Sequence, residues 1–325
     1  MGAQTLEDFP PEGDAVIQVK DLVKKYGAHR AVDGISFEVA RGELFGLLGP
    51  NGAGKTTTIG VLATLLPGNG GSVTVGGHDV AREPGAVRSL LGLVPQEIAL
   101  YTDLDARTNL EFWGKLHGLD GTALRARVDE LLELTDLQEH ARQKVENFSG
   151  GMKRRLNLAA GLVHSPEVLF LDEPTVGIDA QARSRLLELI GELSAQGLTV
   201  IYTTHYLEEA EQLCDRIGVI DKGRLVAVGD KEDLISQIGD EDRVRVDVPA
   251  EARPGLAAAA MGWTGVESVG ERRKKVEIRA RDGGALLPEL QSWLAAQGLP
   301  LSQLEVDRPN LEALYLNLTG RGLRE

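Results

Sequence analysis

Cysteine is nearly absent from this chain of 325 residues: Cys214 is the only one. No internal disulfide can form, and nothing points to an oxidising compartment. At helical spacing from Leu207 and Ala210, Cys214 reads as a packing residue rather than a nucleophile. Aromatic residues make up only 4%, so the interior has to be built from Leu, Val, Ile and Ala. No stretch approaches the roughly 18 uninterrupted apolar residues of a spanning helix. The first residues lack the basic-then-apolar pattern of a secretory signal. A soluble protein is expected, with any membrane role carried by a partner. Positive charge is also short, 35 Lys and Arg against 49 Asp and Glu, for a formal net charge of −14. A nucleic-acid binder usually shows a basic stripe, because neutralising phosphates supplies most of its affinity. The compact basic clusters here are Lys153-Arg154-Arg155 and Arg272-Arg273-Lys274-Lys275, both short and read as solvated helix or strand edges. No nucleic-acid partner is expected.

What is present is a globular composition, with 42% hydrophobic residues. The length suits one large domain and a smaller one. Residues 1–14, rich in Pro, Gly and acid, read as a loose tail. From Ala15 the chain alternates as half-buried strands do, at Val16-Ile17-Gln18-Val19 and Ile35-Ser36-Phe37-Glu38-Val39. A short apolar strand, Leu44 to Leu48, runs into a glycine-rich turn. A helix from Lys55 follows, expected to bury Ile59, Leu62 and Leu66 and to stop at Pro67-Gly68. Helical texture dominates from about residue 98 to 165, with Leu124, Val128 and Leu131 on one face. Strands return at Val168 to Leu171 and Thr199 to Thr204, each followed by a helical pattern, as in parallel sheets with crossovers. Two short strands are expected around the turn Asp221-Lys222-Gly223, completing a domain of residues 15–238.

Residues 239–325 read as a separate small α+β domain. Arg243 to Val248 and Lys275 to Arg279 alternate as strands. One expected helix buries Leu286, Leu290, Trp293 and Leu294. A second, beginning near Pro309 and ending at Gly320, buries Leu311, Leu314, Tyr315 and Leu318. No chemistry is legible in this part. A regulatory or dimer-stabilising role and a passive stabilising role fit it equally.

Gly49-Pro50-Asn51-Gly52-Ala53-Gly54-Lys55-Thr56 fits the phosphate-loop pattern G-x-x-x-x-G-K-[ST], with the required strand before and helix after. The glycines let backbone N–H groups converge on phosphate oxygens, and the helix N-terminus adds a favourable dipole. Lys55 would neutralise the β- and γ-phosphates, and Thr56 would offer a hydroxyl to Mg²⁺. The apolar strand Val168-Leu169-Phe170-Leu171 ends in Asp172-Glu173. Asp172 is placed to hold a Mg²⁺-bound water, and Glu173 to polarise an attacking water. Alone, two acids at a strand end could equally be a solvated cap; paired with the phosphate loop, the catalytic reading prevails.

Asn147-Phe148-Ser149-Gly150-Gly151-Met152 opens a further helix, a second candidate anion-binding terminus. With the phosphate loop upstream and Asp172-Glu173 downstream, it closely resembles the signature of ABC ATPases. The resemblance spans about Val16 to Val228 in unbroken motif order. It implies that Tyr26 stacks on adenine and that Gln96 contacts Mg²⁺ and water and links to a membrane subunit. It implies that the loop Gly177-Ile178-Asp179 speaks across a dimer and that His205 contacts the γ-phosphate. Carried over position by position, it assigns ATP to Tyr26, Gly49, Asn51, Gly52, Ala53, Gly54, Lys55, Thr56, Thr57, Ser149, Gly150, Gly151 and Asp179. Catalysis falls to Glu173, His205, Gln96 and Lys55, and Mg²⁺ to Thr56, Gln96 and Asp172. Phe148 and Met152 depart from the usual Leu-Ser-Gly-Gly-Gln, and Ile178 and Ala180 from the usual Leu and Pro; Ser149 and Gly151 are kept.

The family fold is α/β: a RecA-like core, an antiparallel β subdomain and an α-helical subdomain, here with the small C-terminal domain. The runs Ser149 to Leu156, Thr203 to Ala210 and Pro309 to Gly320 look like the drug-, antibiotic- and lipid-export branch, most specifically the daunorubicin-resistance type. The resemblance implies a transport-coupled ATPase using ATP and Mg²⁺. It would work as a head-to-tail homodimer beside a separate integral-membrane subunit, at the cytoplasmic face of the membrane. The segment Glu97 to Tyr101 is the expected docking edge. Two alternatives stay open: a soluble ABC ATPase of translation or DNA, and an importer ATPase.

Overall fold

The computed structural model describes residues 15–236, 241–272, 274–300, 303–308 and 310–319. Alternating apolar residues make β1 (Ala15–Tyr26) and β2 (His29–Ala40) a long antiparallel pair, joined through Gly27 and Ala28. The all-apolar β3 (Leu44–Leu48) is buried at every position and leads through the glycine-rich loop into α1 (Lys55–Leu62). Then come β4 (Gly70–Val75), the two-residue β5 (His78–Asp79), α2 (Pro84–Leu90) and β6 (Leu91–Val94). Three helices follow: α3 (Ala106–Leu116), α4 (Gly121–Leu134) and α5 (Gly150–Leu162). The run closes with β7 (Val168–Asp172), α6 (Ala180–Ala195), β8 (Thr199–Thr204), α7 (Leu207–Leu213), β9 (Arg216–Asp221) and β10 (Arg224–Asp230).

These elements form two sheets. One is antiparallel, in the order β2-β1-β4-β5; the other is six-stranded, β10-β9-β3-β8-β7-β6. In the larger sheet β9, β3, β8, β7 and β6 are parallel neighbours, and β10 joins the edge antiparallel through the Asp221–Arg224 hairpin. Every residue of β3, β7 and β8 is buried, the pattern of parallel strands covered on both faces. One core cluster joins Leu124, Val128, Leu131 and Leu156 of the helical region to Val94, Leu169, Leu171 and Tyr202 of the sheet. This is the expected α/β core with its antiparallel β and helical parts. In such sheets ligands bind beyond the carboxyl ends of the strands, which here are Leu48, Asp172 and Thr204.

The helix after the phosphate loop is shorter than its pattern suggests. It ends at Leu62 rather than at Pro67, because Thr64 takes a left-handed conformation (φ 61°). The N–H groups of Leu65 and Leu66 then both fold back onto the carbonyl of Gly60. Leu66 is only half-buried, and Leu65 stands in solvent. Cys214 packs as expected: burial pushes its thiol pKa up, leaving it protonated.

The chain divides into two compact units, the first running to Lys231 and the second from Glu232. At the boundary lies α8 (Lys231–Ser236), then β11 (Asp242–Asp247), α9 (Arg253–Ala260), β12 (Val266–Arg272), β13 (Lys275–Ala280), α10 (Leu287–Ala296), β14 (Gln303–Asp307) and α11 (Leu311–Thr319). The four strands form an antiparallel sheet, β12-β13-β11-β14. Its core gathers Val244, Val246, Val276 and Ile278 with Leu256, Leu290 and Leu294. Leu286 is buried in a 3₁₀ turn just before α10, and Trp293 is only half-buried. Leu311, Leu314 and Tyr315 are buried, whereas Leu318 is exposed, so the last helix buries one turn less than expected. Asn310 caps that helix by accepting from the Ala313 N–H. Residues 1–14, Pro309 and Gly320 lie outside the described residues.

Candidate nucleotide site

The phosphate loop bends between the end of β3 and the start of α1 and is held from three sides. Gly49 N–H donates to the Thr204 carbonyl at 3.2 Å, fixing the loop to the end of β8. Gly223, in the β9–β10 turn, donates to Ala53 O at 2.8 Å and accepts from Asp33 N–H at 2.8 Å. Gly54 has φ 112°, and a Cβ there would come 2.5 Å from Ala31 O, so only glycine serves at this helix entry.

A cavity of about 470 Å³ opens over this loop. Of the residues expected to bind nucleotide, Tyr26, Asn51, Gly52, Gly54, Lys55, Thr56 and Thr57 line it, with Gln96 and Glu173 on the far side. Tyr26 sits at the tip of the β1–β2 hairpin, 49% exposed, with the Lys24 ammonium 5.2 Å from its ring centroid. One broad aromatic face is thereby offered at the cavity mouth. Gly49 and Ala53 belong to the wall beneath, where Gly49 contributes its carbonyl and Ala53 is buried.

Lys55 is buried and donates to Gly49 O (2.6 Å) and Pro50 O (3.0 Å), while its ammonium pairs with Glu173 Oε1 at 2.9 Å. The other carboxylate oxygen, Oε2, lies 3.0 Å from His205 Nδ1. Glu173 adopts φ 44°, a left-handed conformation that is costly for a non-glycine residue. Its N–H donates to Thr203 Oγ1 at 3.0 Å, and the Thr203 hydroxyl in turn donates to Asp172 Oδ1 at 2.7 Å. The same Asp172 oxygen lies 3.2 Å from Thr56 Oγ1. Thr56 and Gln96 thus line the cavity, with the Asp172 carboxylate directly behind the Thr56 hydroxyl. Few protein oxygens of this kind suit Mg²⁺, which keeps several waters and takes its remaining ligands from substrate phosphates.

Ser149, Gly150 and Gly151 do not line this cavity. Ser149 caps α5, accepting from the Met152 N–H at 3.2 Å. Gly151 packs against the start of α6, where a Cβ would come 2.6 Å from that of Ala182. Asp179 caps α6 by accepting from Ala182 N–H at 2.9 Å. The signature turn and the 177–179 loop are thus neighbours of each other within the chain, away from the phosphate loop.

Several residues at the site were not anticipated. His29 and Ala31 line the cavity beside Tyr26, placed there by the hairpin return. Arg154, expected on a solvated edge, is instead buried and donates to the backbone carbonyls of Gln96 and Val176, tying α5 to both catalytic loops. Arg155 likewise turns inward, onto Thr135 O at 2.7 Å. Asn157 accepts from Ala99 N–H at 3.1 Å and steadies the chain beyond Gln96.

A buried lysine on a glycine loop, with carboxylates presented from the end of β7 one strand beyond β8, defines a phosphate-loop ATPase. The ABC transporter family model matches residues 32–176. The linearmycin resistance ATP-binding protein LnrL of Bacillus subtilis (strain 168) is 46% identical over 95% of this chain and 100% of its own length. The daunorubicin resistance ATP-binding protein DrrA3 of Streptomyces coeruleorubidus is 44% identical over 94% of this chain and 96% of its own. A solved ATP-binding subunit of an ABC transporter superposes with TM-score 0.63 at 31% identity, covering 69% of this chain and 93% of that one. The chain belongs to the ABC transporter ATP-binding proteins, and its enzymatic activity is that of an ABC transporter ATPase.

Proposed function

We propose that this chain drives export of a drug, antibiotic or lipid-like compound through a separate integral-membrane subunit. It does so as a head-to-tail homodimer at the cytoplasmic face of the membrane. Export is supported by full-length similarity to two resistance ATP-binding proteins, with which the chain shares its C-terminal region as well as its motifs. Among the described residues no helix is long and apolar enough to cross a membrane, so passage belongs to the partner.

The dimer rests on one observation: the cavity holds the phosphate loop, Gln96 and Glu173 but not Ser149, Gly150 or Gly151. A two-fold, head-to-tail pair brings the signature turn of one protomer over the cavity of the other and encloses two ATP molecules. ATP then touches both protomers only in the closed state, so binding shifts the population toward closure.

Within each site Tyr26 stacks on the base, and the backbone of Asn51 to Thr57 cradles the phosphates at the α1 N-terminus. Lys55 exchanges Glu173 for the β- and γ-phosphates. Glu173, released from Lys55 but still beside His205, takes the proton of the attacking water as general base. His205 meets the γ-phosphate, and Thr56, Asp172 and Gln96 hold Mg²⁺. The metal supplies charge neutralisation on the phosphoryl oxygens.

The membrane subunit docks in an apolar groove of about 370 Å³ beside the expected docking segment, with Leu65, Leu93, Pro95, Ala99 and Trp113 in its walls. Trp113 Nε1, Asn157 Nδ2 and His164 Nδ1 are buried in the same groove without a protein partner. The walls of the groove are largely apolar, which suits an apolar segment of the partner. Closure reaches this groove through Arg154, which holds Gln96 at one end of α5 while Asn157 holds Ala99 a turn later. The test is co-purification with the membrane subunit, followed by ATP-dependent movement of daunorubicin in reconstituted vesicles and growth protection against linearmycin. ATP-dependent inward accumulation of a nutrient, with no efflux of either compound, sinks the export reading.

A further inference from the structure

Among the buried carboxylates that the ATPase site does not use, Glu209 is the least exposed of the described residues. Glu209, in α7, is 2% exposed and does not line the nucleotide cavity. A carboxylate taken out of water needs its oxygens occupied, and three hydroxyls occupy them. Thr175 Oγ1 donates to Oε1 at 2.7 Å; Tyr202 OH and Thr204 Oγ1 donate to Oε2 at 2.8 and 2.7 Å. The Arg183 side chain completes the shell, with Nε 3.6 Å from Oε1 and its guanidinium carbon 4.7 Å from the Tyr206 ring centroid. Burial and the Glu209 charge push the Tyr202 phenol pKa well up, so that hydroxyl stays a donor.

The donors come from the two segments that carry the reacting groups. Thr175 follows Glu173 by two residues. Thr204 immediately precedes His205, and its hydroxyl also accepts from Tyr206 N–H at 2.9 Å, closing the backbone around the histidine. One carboxylate therefore clamps the loop of Glu173 to the turn of His205, and the pair it holds in register is the 3.0 Å contact between His205 Nδ1 and Glu173 Oε2. Through Arg183 the clamp also reaches α6, the helix that Asp179 caps.

We infer that Glu209 is a positioning residue for ATP hydrolysis: it sets the Glu173–His205 geometry and is needed for turnover but not for ATP binding. This rests on the roles given above to Glu173 and His205. The amide of Glu209→Gln keeps the shape but offers one acceptor where two are required, so the hydroxyl cluster must rearrange. A displacement of about 1 Å at reacting groups costs on the order of a hundredfold in rate.

The test uses the full-length chain and compares Glu209→Gln, Thr175→Val, Glu173→Gln, His205→Ala and the pair Glu209→Gln/His205→Ala. ATP affinity and kcat are measured for each. For Glu209→Gln the expected result is a kcat loss of about tenfold or more with ATP affinity changed less than about twofold, and Thr175→Val should show the same split more weakly. Adding Glu209→Gln to His205→Ala should cost little more than His205→Ala alone, because the clamp acts through the histidine. A kcat within about twofold of the parent, an affinity loss equal to the kcat loss, or full multiplication of the two effects overturns the inference. Should Glu173→Gln and His205→Ala retain turnover, it is the underlying assignment of those residues that fails. Should they lose it while Glu209→Gln does not, the clamp alone fails.

Discussion

Glu173 shares its two oxygens between Lys55, at 2.9 Å, and His205, at 3.0 Å. The carboxylate expected to activate water is thus ion-paired to the lysine expected to bind phosphate. Under the roles proposed above, the γ-phosphate would compete with it for the ammonium, so filling the site would free Oε1 when a base is wanted.

Replacing Glu173 by Gln keeps the shape and the His205 contact but removes the proton acceptor. A general base contributes on the order of 10²- to 10⁴-fold, and kcat should fall by that much. Nucleotide affinity should be kept, and the ATP-bound dimer should accumulate, as sedimentation in ATP would show. Turnover near the parent rate removes Glu173 as the base.

The separation of Ser149 from the phosphate loop makes a prediction for mixed dimers. Lys55→Ala disables the cavity, and Ser149→Arg blocks the signature turn; each variant alone should be nearly inactive. Mixed together, they form heterodimers in which both lesions fall in one composite site and the other site is intact. ATPase activity should reappear on mixing and follow the heterodimer fraction. Absence of recovery, with heterodimers demonstrated by native mass measurement, rejects the head-to-tail arrangement.

The parts of the site that were legible are those written in contiguous residues: the loop from Gly49 to Thr56 and Asp172-Glu173. The supporting residues were not, because long-range folding assembles them. Arg154 lies 58 positions from Gln96, and Glu209 lies 34 from Thr175. A run of three basic residues looks like a wetted edge until the helix turns two of them, Arg154 and Arg155, onto backbone carbonyls. In the second unit, β12 and β14 went unseen because each pairs on one side only and is largely exposed, which dilutes apolar alternation. The helix α9 (RPGLAAAA) hid in alanines, which mark no face.

His117 and His164 stack with ring centroids 3.8 Å apart and planes 2° from parallel, and His164 Nε2 lies 3.1 Å from the Leu91 carbonyl. Burial pushes both pKa values below the ordinary 6.5, and the charges of His117 and Arg127 add to the effect on His164. Arg88 also lines the groove. As pH falls through 6.5 the unfolded chain takes up protons that the folded one refuses, so stability declines there and is fully present above it. The unfolding midpoint should drop between about pH 7.5 and 5.5, and less in His164→Gln, whose amide can still donate to Leu91. An identical pH dependence in both proteins excludes this pair as a source.

Leu65 tests the groove without touching the nucleotide site. It is 64% exposed, on the turn created where α1 stops early at Thr64. An exposed side chain of this kind can be changed at a stability cost within about 0.5 kcal/mol, so Leu65→Asp should fold and keep the ATP affinity of the parent. In the groove the new carboxylate must be desolvated beneath the partner, against the apolar walls of Leu93, Pro95 and Ala99. Co-purification with the membrane subunit should weaken by about tenfold or more, the penalty expected for an uncompensated buried charge. Trp113→Phe, which keeps an aromatic ring but loses part of the indole's apolar area along with its Nε1 donor, should weaken it less. Undiminished association of the Leu65→Asp variant places the docking surface elsewhere, whatever becomes of the catalytic assignments.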